Sequence, residues 1–164
     1  MSAPRVRELV AADLPSVLEL NQSARPHVSD LELDALCALV AEAAYVRGVT
    51  RDGRLLAFLI AFAPDAHYES PNFQWFRARY DRFVYVDRIV VAAGARGEGI
   101  GKRLYDDVAA FARERAPRVT CEVNLRPRND GSLRFHAREG FVQVGEQETE
   151  GGKKSVALLA RELG

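Results

Sequence analysis

Apolar residues recur along the chain with two spacings. In several segments they are three and four positions apart, which is typical of one face of a helix. Between these segments lie short runs rich in Val, Ile and aromatic residues, which are typical of strands. Ser29 and Glu32 have the spacing of a capping box and predict a helix start. The predicted elements, in order, are a strand from Val6 to Val10, a helix that includes Leu14, Val17 and Leu18, a helix from about Asp30 to Ala43, strands Tyr45–Thr50 and Leu55–Phe62, a strand Phe83–Val91, a helix Gly99–Ala116, a strand Arg118–Val123, a short helix from about Gly131 to Glu139, and strands Phe141–Gly145 and Ser155–Leu159.

The connections between these elements predict how the strands pair. Asp52-Gly53 tolerates the positive φ of a tight turn, so it predicts a hairpin and antiparallel pairing. The strand–helix–strand unit from Phe83 to Val123 predicts a parallel pair joined by a right-handed crossover. A mixed α/β sheet follows. The length of 164 residues fits one domain, which we assign to residues 1–164.

The segment from Ala63 to Asp81 differs from the rest of the chain. Pro64, Pro71 and Asn72 predict a break in regular structure, and ring-bearing side chains are concentrated here. A long aromatic connection in a compact domain is more often functional than idle, so we predict a functional loop.

The charge balance narrows the class of partner. Lys plus Arg and Asp plus Glu both number 23, which argues against nucleic acid or an anionic membrane as the main partner. Cys37 and Cys121 lie in apolar stretches and are predicted to be buried free thiols. The chain shows no metal-binding pattern and no apolar run of membrane-spanning length, so a cytoplasmic protein without a metal is expected.

The most informative segment joins the Phe83 strand to the Gly99 helix. A helix N-terminus presents unpaired N–H groups and a partial positive charge. Gly97, Gly99 and Gly101 let the backbone approach an anion without Cβ clashes, and Arg96 adds a cation. The segment therefore predicts a cradle for a phosphate or pyrophosphate.

Two common phosphate-binding motifs do not fit these residues. The dinucleotide pattern G-x-G-x-x-G would need glycine at Lys102. The P-loop pattern G-x-x-x-x-G-K-[ST] would need glycine at Arg96 and a hydroxyl residue at Arg103. The cradle thus belongs to another class of phosphate ligand.

Two motifs resemble the GNAT-superfamily N-acetyltransferases. Ile89-Val90-Val91 followed by Arg96-Gly97-Glu98-Gly99-Ile100-Gly101 resembles the acetyl-CoA signature of that family. Downstream, Asn129, Ser132 and Phe135 followed by Gly140-Phe141 resemble its N-x-x-[AS]…G-F segment. The resemblance covers nearly the whole chain. It implies a mostly antiparallel sheet with a central splayed parallel pair flanked by helices.

The resemblance also implies a cosubstrate, acetyl-CoA, and a way of holding it. The loop amides from Arg96 to Gly101, with Lys102, are expected to bind the pyrophosphate. The pantetheine arm is expected to pair with backbone groups of Ile89, Val90 and Val91. The Asn129 side chain is expected to contact the cofactor arm, cap the short helix, or do both.

Direct transfer of the acetyl group to an amine is the implied reaction. The family commonly places a tyrosine as the acid for the thiolate where this chain has His136, which titrates near neutral pH and is the candidate acid. Asp87 lies in an otherwise apolar strand and is the candidate base, unless it forms a structural ion pair. Glu122 is a lesser candidate base, and Cys121 is not expected to carry the acyl group.

The acceptor is expected to be a primary amine of a small molecule or peptide, and a homodimer is left open. The resemblance places the acceptor site in roughly Asn21–Asp30, Ala63–Arg82 and Gly145–Lys153. Aromatic residues of the middle segment suit an apolar or cationic acceptor, and its arginines suit a carboxylate. A non-catalytic acyl-CoA-binding module and a nucleotide-phosphate binder stay open as alternatives.

Overall fold

A computed structural model describes residues 2–164. These residues form seven strands and five helices, together with three short 3₁₀ turns. The elements are β1 (Arg5–Glu8), α1 (Leu14–Ser23), α2 (Leu33–Glu42), β2 (Tyr45–Arg51), β3 (Arg54–Phe62), α3 (Pro71–Arg77), β4 (Val84–Val91), α4 (Ile100–Arg113), β5 (Arg118–Arg126), α5 (Asp130–Arg138), β6 (Val142–Thr149) and β7 (Lys154–Glu162).

All the strands join one sheet in the order β1-β2-β3-β4-β5-β7-β6. The predicted hairpin is confirmed: β2 and β3 are antiparallel, and both turn residues, Asp52 and Gly53, have positive φ. Neighbouring strands are antiparallel except β4 and β5, which are parallel as predicted. The predicted fold class, a mostly antiparallel α/β sheet with a central parallel pair, is therefore confirmed.

The parallel pair is where the sheet opens. β4 and β5 pair at Val84–Val119 and Tyr85–Thr120 and then diverge. On its other edge β4 follows β3 with one irregularity, because Ile60 faces Arg88 while Ala61 faces Val86. Asp87 is the extra residue of this β-bulge. A bulge bends its strand and re-aims the side chains beside it, which directs Asp87 toward the opening.

Two apolar cores cover the two faces of the sheet. On one face α4 buries Ile100, Leu104 and Val108 against the strands, at the helical spacing that predicted this element. On the other face α1, α2 and α3 pack around Phe58 and Phe73. The opening between β4 and β5 therefore connects one layer of helices to the other. Along residues 2–164, no helix combines the length and apolar character that a membrane crossing needs.

Three local predictions are wrong. The predicted loop contains α3, because Ser70 caps a helix with Pro71 in its first turn, where a missing N–H costs nothing. Ser29 does not cap α2; its hydroxyl accepts a hydrogen bond from Arg88 instead. Cys37 is exposed on α2, whereas Cys121 is buried as predicted.

Candidate active site

The glycine loop has the backbone geometry of an anion cradle. Gly97 and Gly99 have φ of 84° and 74°, in the left-handed region that favours glycine. A Cβ added at either position would meet no heavy atom within 4 Å, so the loop is open on that side. Gly99 is also the N-cap of α4, whose first N–H groups lack partners within the helix. The loop therefore has both the room and the donors that a pyrophosphate needs.

An ion pair fixes the outer side of the loop. Arg51, at the end of β2, donates from Nη1 to Oε1 of Glu98 at 2.8 Å. The contact lowers the pKa of Glu98 through the hydrogen bond and the charge of the guanidinium. Glu98 is thereby tied to the β2–β3 hairpin.

A cavity of about 890 Å³ extends from this loop into the opening between β4 and β5. The structure brings all ten predicted cofactor residues to its wall. They are Ile89, Val90, Val91, Arg96, Gly97, Gly99, Ile100, Gly101, Lys102 and Asn129. Beyond Tyr85 the β4 edge diverges from β5, so its backbone groups border the cavity. An extended ligand arm can hydrogen-bond to such an edge as an added strand does.

Asn129 caps a helix and also lies at the cavity wall. Its Oδ1 accepts a hydrogen bond from the backbone N–H of Ser132 at 3.3 Å and so caps α5. The same residue borders the cavity, so its amide group lies within reach of a ligand. Lys102 lies on the first turn of α4, with Nζ 3.3 Å from Asp106 and 3.9 Å from Glu139.

Asp87 is held by two partners at the cavity wall. Tyr68 donates its hydroxyl to Oδ1 at 2.6 Å, and Arg88 donates from Nε to Oδ2 at 2.9 Å. The carboxylate is nearly buried, and the cavity borders Asp87, Tyr68 and Arg88. Burial and the charge of Asp87 raise the pKa of Tyr68, so this hydroxyl stays protonated. The sequence left two alternatives for Asp87, a structural ion pair and a functional position. In the structure Asp87 both forms the ion pair and borders the cavity.

Arg88 links this carboxylate to the segment between α1 and α2. Its Nη1 donates to Oδ1 of the buried Asn21 at 2.9 Å, and its Nη2 donates to the Ser29 hydroxyl at 3.0 Å. Asn21 in turn donates to the Ser29 carbonyl at 3.0 Å. Because Ser29 also borders the cavity, the buried guanidinium couples one wall of the cavity to Asp87.

Glu122 provides a second carboxyl on the facing strand. It accepts a hydrogen bond from the hydroxyl of Tyr85, whose side chain is fully buried. Burial, followed by the charge of Asp87, raises the pKa of Glu122 to about 8. Two carboxyl groups, one on each diverging strand, thus border the same cavity.

His136 lies on α5, contacts Tyr105 of α4, and borders the same cavity. It is 3% exposed, and its Nε2 is 2.6 Å from the hydroxyl of Tyr105. Its Nδ1 is 2.8 Å from the Ser132 carbonyl. Burial lowers the pKa of His136, which favours the neutral imidazole. The acid candidate His136 and the base candidates Asp87 and Glu122 therefore border the same cavity.

The predicted acceptor segments reach the cavity only in part. His27 and Ser29 of the first segment and Thr149 of the last segment border it, and so does Tyr68 of the middle one. Phe76, which was expected in the acceptor site, is fully buried in the core. Two other side chains of the segment Ala63–Arg82 are also engaged elsewhere. Trp75 packs on Gly145, and Arg79 lies 3.7 Å from the centre of the Trp75 ring.

Sequence reasoning missed Tyr85, Arg88 and Tyr105. Tyr85 and Arg88 flank Asp87 in β4, so polar groups within an apolar strand were a usable signal. Tyr105 gave no such signal, because it lies next to Leu104 on an amphipathic helix, where an aromatic residue is typical of the core. Its role depends on α5, which follows more than twenty positions later in the chain.

Comparisons with known proteins agree with this geometry. Residues 7–141 match the model of the acetyltransferase (GNAT) family. The chain is 34% identical over 126 residues to phosphinothricin N-acetyltransferase of Alcaligenes faecalis, over 76% of this chain and 58% of that protein. The chain therefore spans little more than half the length of this relative.

Solved structures resemble the fold at low sequence identity. Ard1 of Thermoplasma volcanium superposes with a TM-score of 0.80 at 19% identity, covering 98% of both chains. The ribosomal-protein-S18-alanine N-acetyltransferase of Escherichia coli superposes with a TM-score of 0.75 at 15% identity, covering 98% of this chain and 94% of that one. At such identities the likeness supports the fold alone.

Proposed function

Because the chain belongs to the acetyltransferase (GNAT) family, we propose that it transfers the acetyl group of acetyl-CoA directly to a primary amine of a small molecule or peptide. The observation that carries the proposal is the continuity of the glycine cradle with the opening between β4 and β5. A pyrophosphate in the cradle directs its attached arm into that opening. The free thiols Cys37 and Cys121 support a reducing, cytoplasmic setting.

The cosubstrate is held mainly by backbone groups. The amides from Arg96 to Lys102 bind the pyrophosphate, with the positive end of α4 behind them. Ile89, Val90 and Val91 offer their diverging strand edge to the pantetheine arm, and Asn129 offers its amide. The thioester supplies the activated acyl group.

Removal of a proton from the acceptor amine is assigned to Asp87. An amine attacks only when neutral, so a base on the acceptor side assists the reaction. The Asp87 carboxylate borders the cavity and is oriented by Tyr68 and Arg88. Glu122 is the second candidate, because a carboxyl with a pKa of about 8 is suited to general base catalysis near neutral pH.

Protonation of the departing thiolate is assigned to the wall that contains His136. This residue occupies the position of the tyrosine acid in the family motif. Asp87 belongs to β4 and His136 to α5, so the two proton transfers use different groups.

Binding and turnover measurements separate the candidate functions. We expect calorimetry to detect acetyl-CoA and CoA but not ATP, and we expect amines to release thiol from acetyl-CoA. ATP binding without CoA binding would identify a nucleotide-phosphate binder. CoA binding without thiol release across a broad amine panel would identify a non-catalytic acyl-CoA-binding module.

The base assignment has a matched control within the chain. Asp107 accepts hydrogen bonds from Tyr45 at 2.6 Å and Arg47 at 2.8 Å, much as Asp87 accepts from a tyrosine and an arginine, but it does not border the cavity. We expect Asp87→Asn to lower kcat about 100-fold and Asp107→Asn to leave it nearly unchanged. If Glu122→Gln lowers kcat more than Asp87→Asn, the base is Glu122 instead.

A further inference from the structure

Both ring nitrogens of His136 are engaged by protein groups. The Ser132 carbonyl can only accept, so the Nδ1 at 2.8 Å from it carries the proton of the neutral imidazole. Nε2 then has a lone pair, and the Tyr105 hydroxyl at 2.6 Å donates to it. The neutral ring therefore has no proton that faces the cavity, although the motif places it where an acid is expected.

The Tyr105 hydroxyl lies at the same wall and carries a proton. Tyr105 borders the cavity together with His136 and Cys121. Edge-to-face contacts hold its ring, with centroids 5.2 Å from those of His136 and Phe141. Because the hydroxyl belongs to α4, the helix that begins at the glycine loop, the cradle and this proton donor are parts of one rigid element.

We propose that the Tyr105 hydroxyl, rather than the His136 imidazole, gives its proton to the sulfur that leaves the acetyl group, and that His136 positions this hydroxyl. The inference rests on the proposed acetyl transfer. Tyr105 is then a catalytic residue and His136 a positioning residue, which explains how the chain functions without a tyrosine at position 136.

The groups already assigned account for every proton that moves in the reaction. The amine nitrogen forms a bond to the acyl carbon, the carbon–sulfur bond breaks, and its electron pair goes to sulfur. The Tyr105 hydroxyl turns about its C–O bond from Nε2 toward the sulfur and transfers its proton. The amine proton passes to the Asp87 carboxylate and then to solvent, and solvent returns one proton to the Tyr105 oxygen after the thiol leaves.

Burial keeps the Tyr105 hydroxyl protonated. Desolvation is the main cause that raises the pKa of Tyr105, with smaller contributions from Cys121 and Glu122, so the proton is present throughout the working pH range. The same wall disfavours an unprotonated thiolate, because any anion loses hydration there. A departing sulfur at this wall therefore needs a proton donor close by.

Tyr105→Phe tests the proposal, with Tyr45→Phe as the matched control. Both changes keep a buried ring and remove one hydroxyl with a 2.6 Å contact, but Tyr45 does not border the cavity. We expect Tyr105→Phe to lower kcat with acetyl-CoA about 100-fold, with little change in CoA affinity, and Tyr45→Phe to leave kcat nearly unchanged. The two variants should melt at similar temperatures.

A donor with a more acidic leaving group distinguishes the loss of proton donation from a packing defect in Tyr105→Phe. Selenols are stronger acids than thiols, so the selenoester analogue of acetyl-CoA needs no proton at the leaving atom. Tyr105→Phe should recover most of its lost rate with this donor.

Three results would overturn the assignment. They are wild-type turnover by Tyr105→Phe, an equal loss of rate on the selenoester, and a larger loss for His136→Gln than for Tyr105→Phe. In each case the wild-type protein still transfers acetyl groups, so the proposed function stands. Wild-type protein that releases no thiol with any amine would instead refute the proposed function and the inference with it.

Discussion

Glu122→Gln tests whether the opening between β4 and β5 makes folding depend on pH. The carboxyl group of Glu122 is protonated more readily in the fold than in the unfolded chain, chiefly because of burial and secondly because of the charge of Asp87. Glutamine is nearly isosteric, does not titrate, and its amide oxygen can still accept the Tyr85 hydroxyl. The variant therefore removes the titration while it keeps the hydrogen bond.

The sign and size follow from the two pKa values. Glu122 changes from the ordinary pKa of 4.5 to about 8 on folding, so the folded state holds an extra proton between these values. The stability that this group contributes is fully present below pH 4.5, declines as pH rises toward 8, and is lost above it. At about 1.4 kcal/mol per pH unit the full loss is about 5 kcal/mol. Because the carboxyl faces an open cavity, water screens it and we expect about 2–3 kcal/mol.

Urea unfolding at intervals from pH 5 to pH 9 measures this difference. We expect the free energy of unfolding of wild type to fall relative to Glu122→Gln across pH 5–8 and to stay level above pH 8. The neutral His136 acts oppositely, since its lowered pKa lets stability rise with pH up to about 6.5, but it is common to both proteins and cancels in the comparison. Parallel stability curves for the two proteins would refute the burial of a protonated carboxyl group.

Two further substitutions test the cradle and the buried ion pair. Gly99→Ala should cost about 1 kcal/mol of stability because Gly99 has a positive φ. It should also weaken CoA binding at least about tenfold, because the added Cβ lies on the open side of the cradle. The control Gly94→Ala, also in open space but without positive φ, should change neither the CoA affinity measured by calorimetry nor the stability measured by thermal melts. Arg88→Met should lower the free energy of unfolding by about 3–5 kcal/mol, since it leaves the nearly buried Asp87 carboxylate without its charge partner. Removing a more exposed partner through Arg118→Met should cost under about 1 kcal/mol, and equal losses for the two arginine variants in urea titrations would contradict the burial argument.

Much of the architecture could be predicted because its signals are local. Asp52-Gly53 specified a hairpin through backbone conformation, and the glycines of the loop before α4 have the positive φ that their type allows. Apolar spacing located α4 and the strands on either side of it. The predicted ends of most of these elements lie within a few residues of the observed ones. The break predicted at Pro71 was wrong, because proline in the first turn begins a helix as readily as it ends one.

The candidate site was predictable only where it is continuous in the chain. All ten residues that were predicted to bind the cofactor border one cavity, because most of them lie on one strand, the loop after it and the helix that the loop begins. Asp87 was recognised from the sequence as unusual. Its contacts with Tyr68 and Arg88 could not be predicted, so a catalytic base and a structural ion pair remained alternatives. The structure contains both the ion pair and the cavity position.

The sequence by itself determined the fold class, the family and the position of the glycine loop, because helix caps, turn conformations and apolar periodicity act within a few residues. Tertiary structure decided which side chains meet at the opening. Tyr105 reaches His136 across 31 positions, and Tyr85 reaches Glu122 across 37. Such contacts depend on how far β4 and β5 diverge and on how α4 and α5 pack beside them. Both are set by the burial of the whole sheet, which no local pattern specifies.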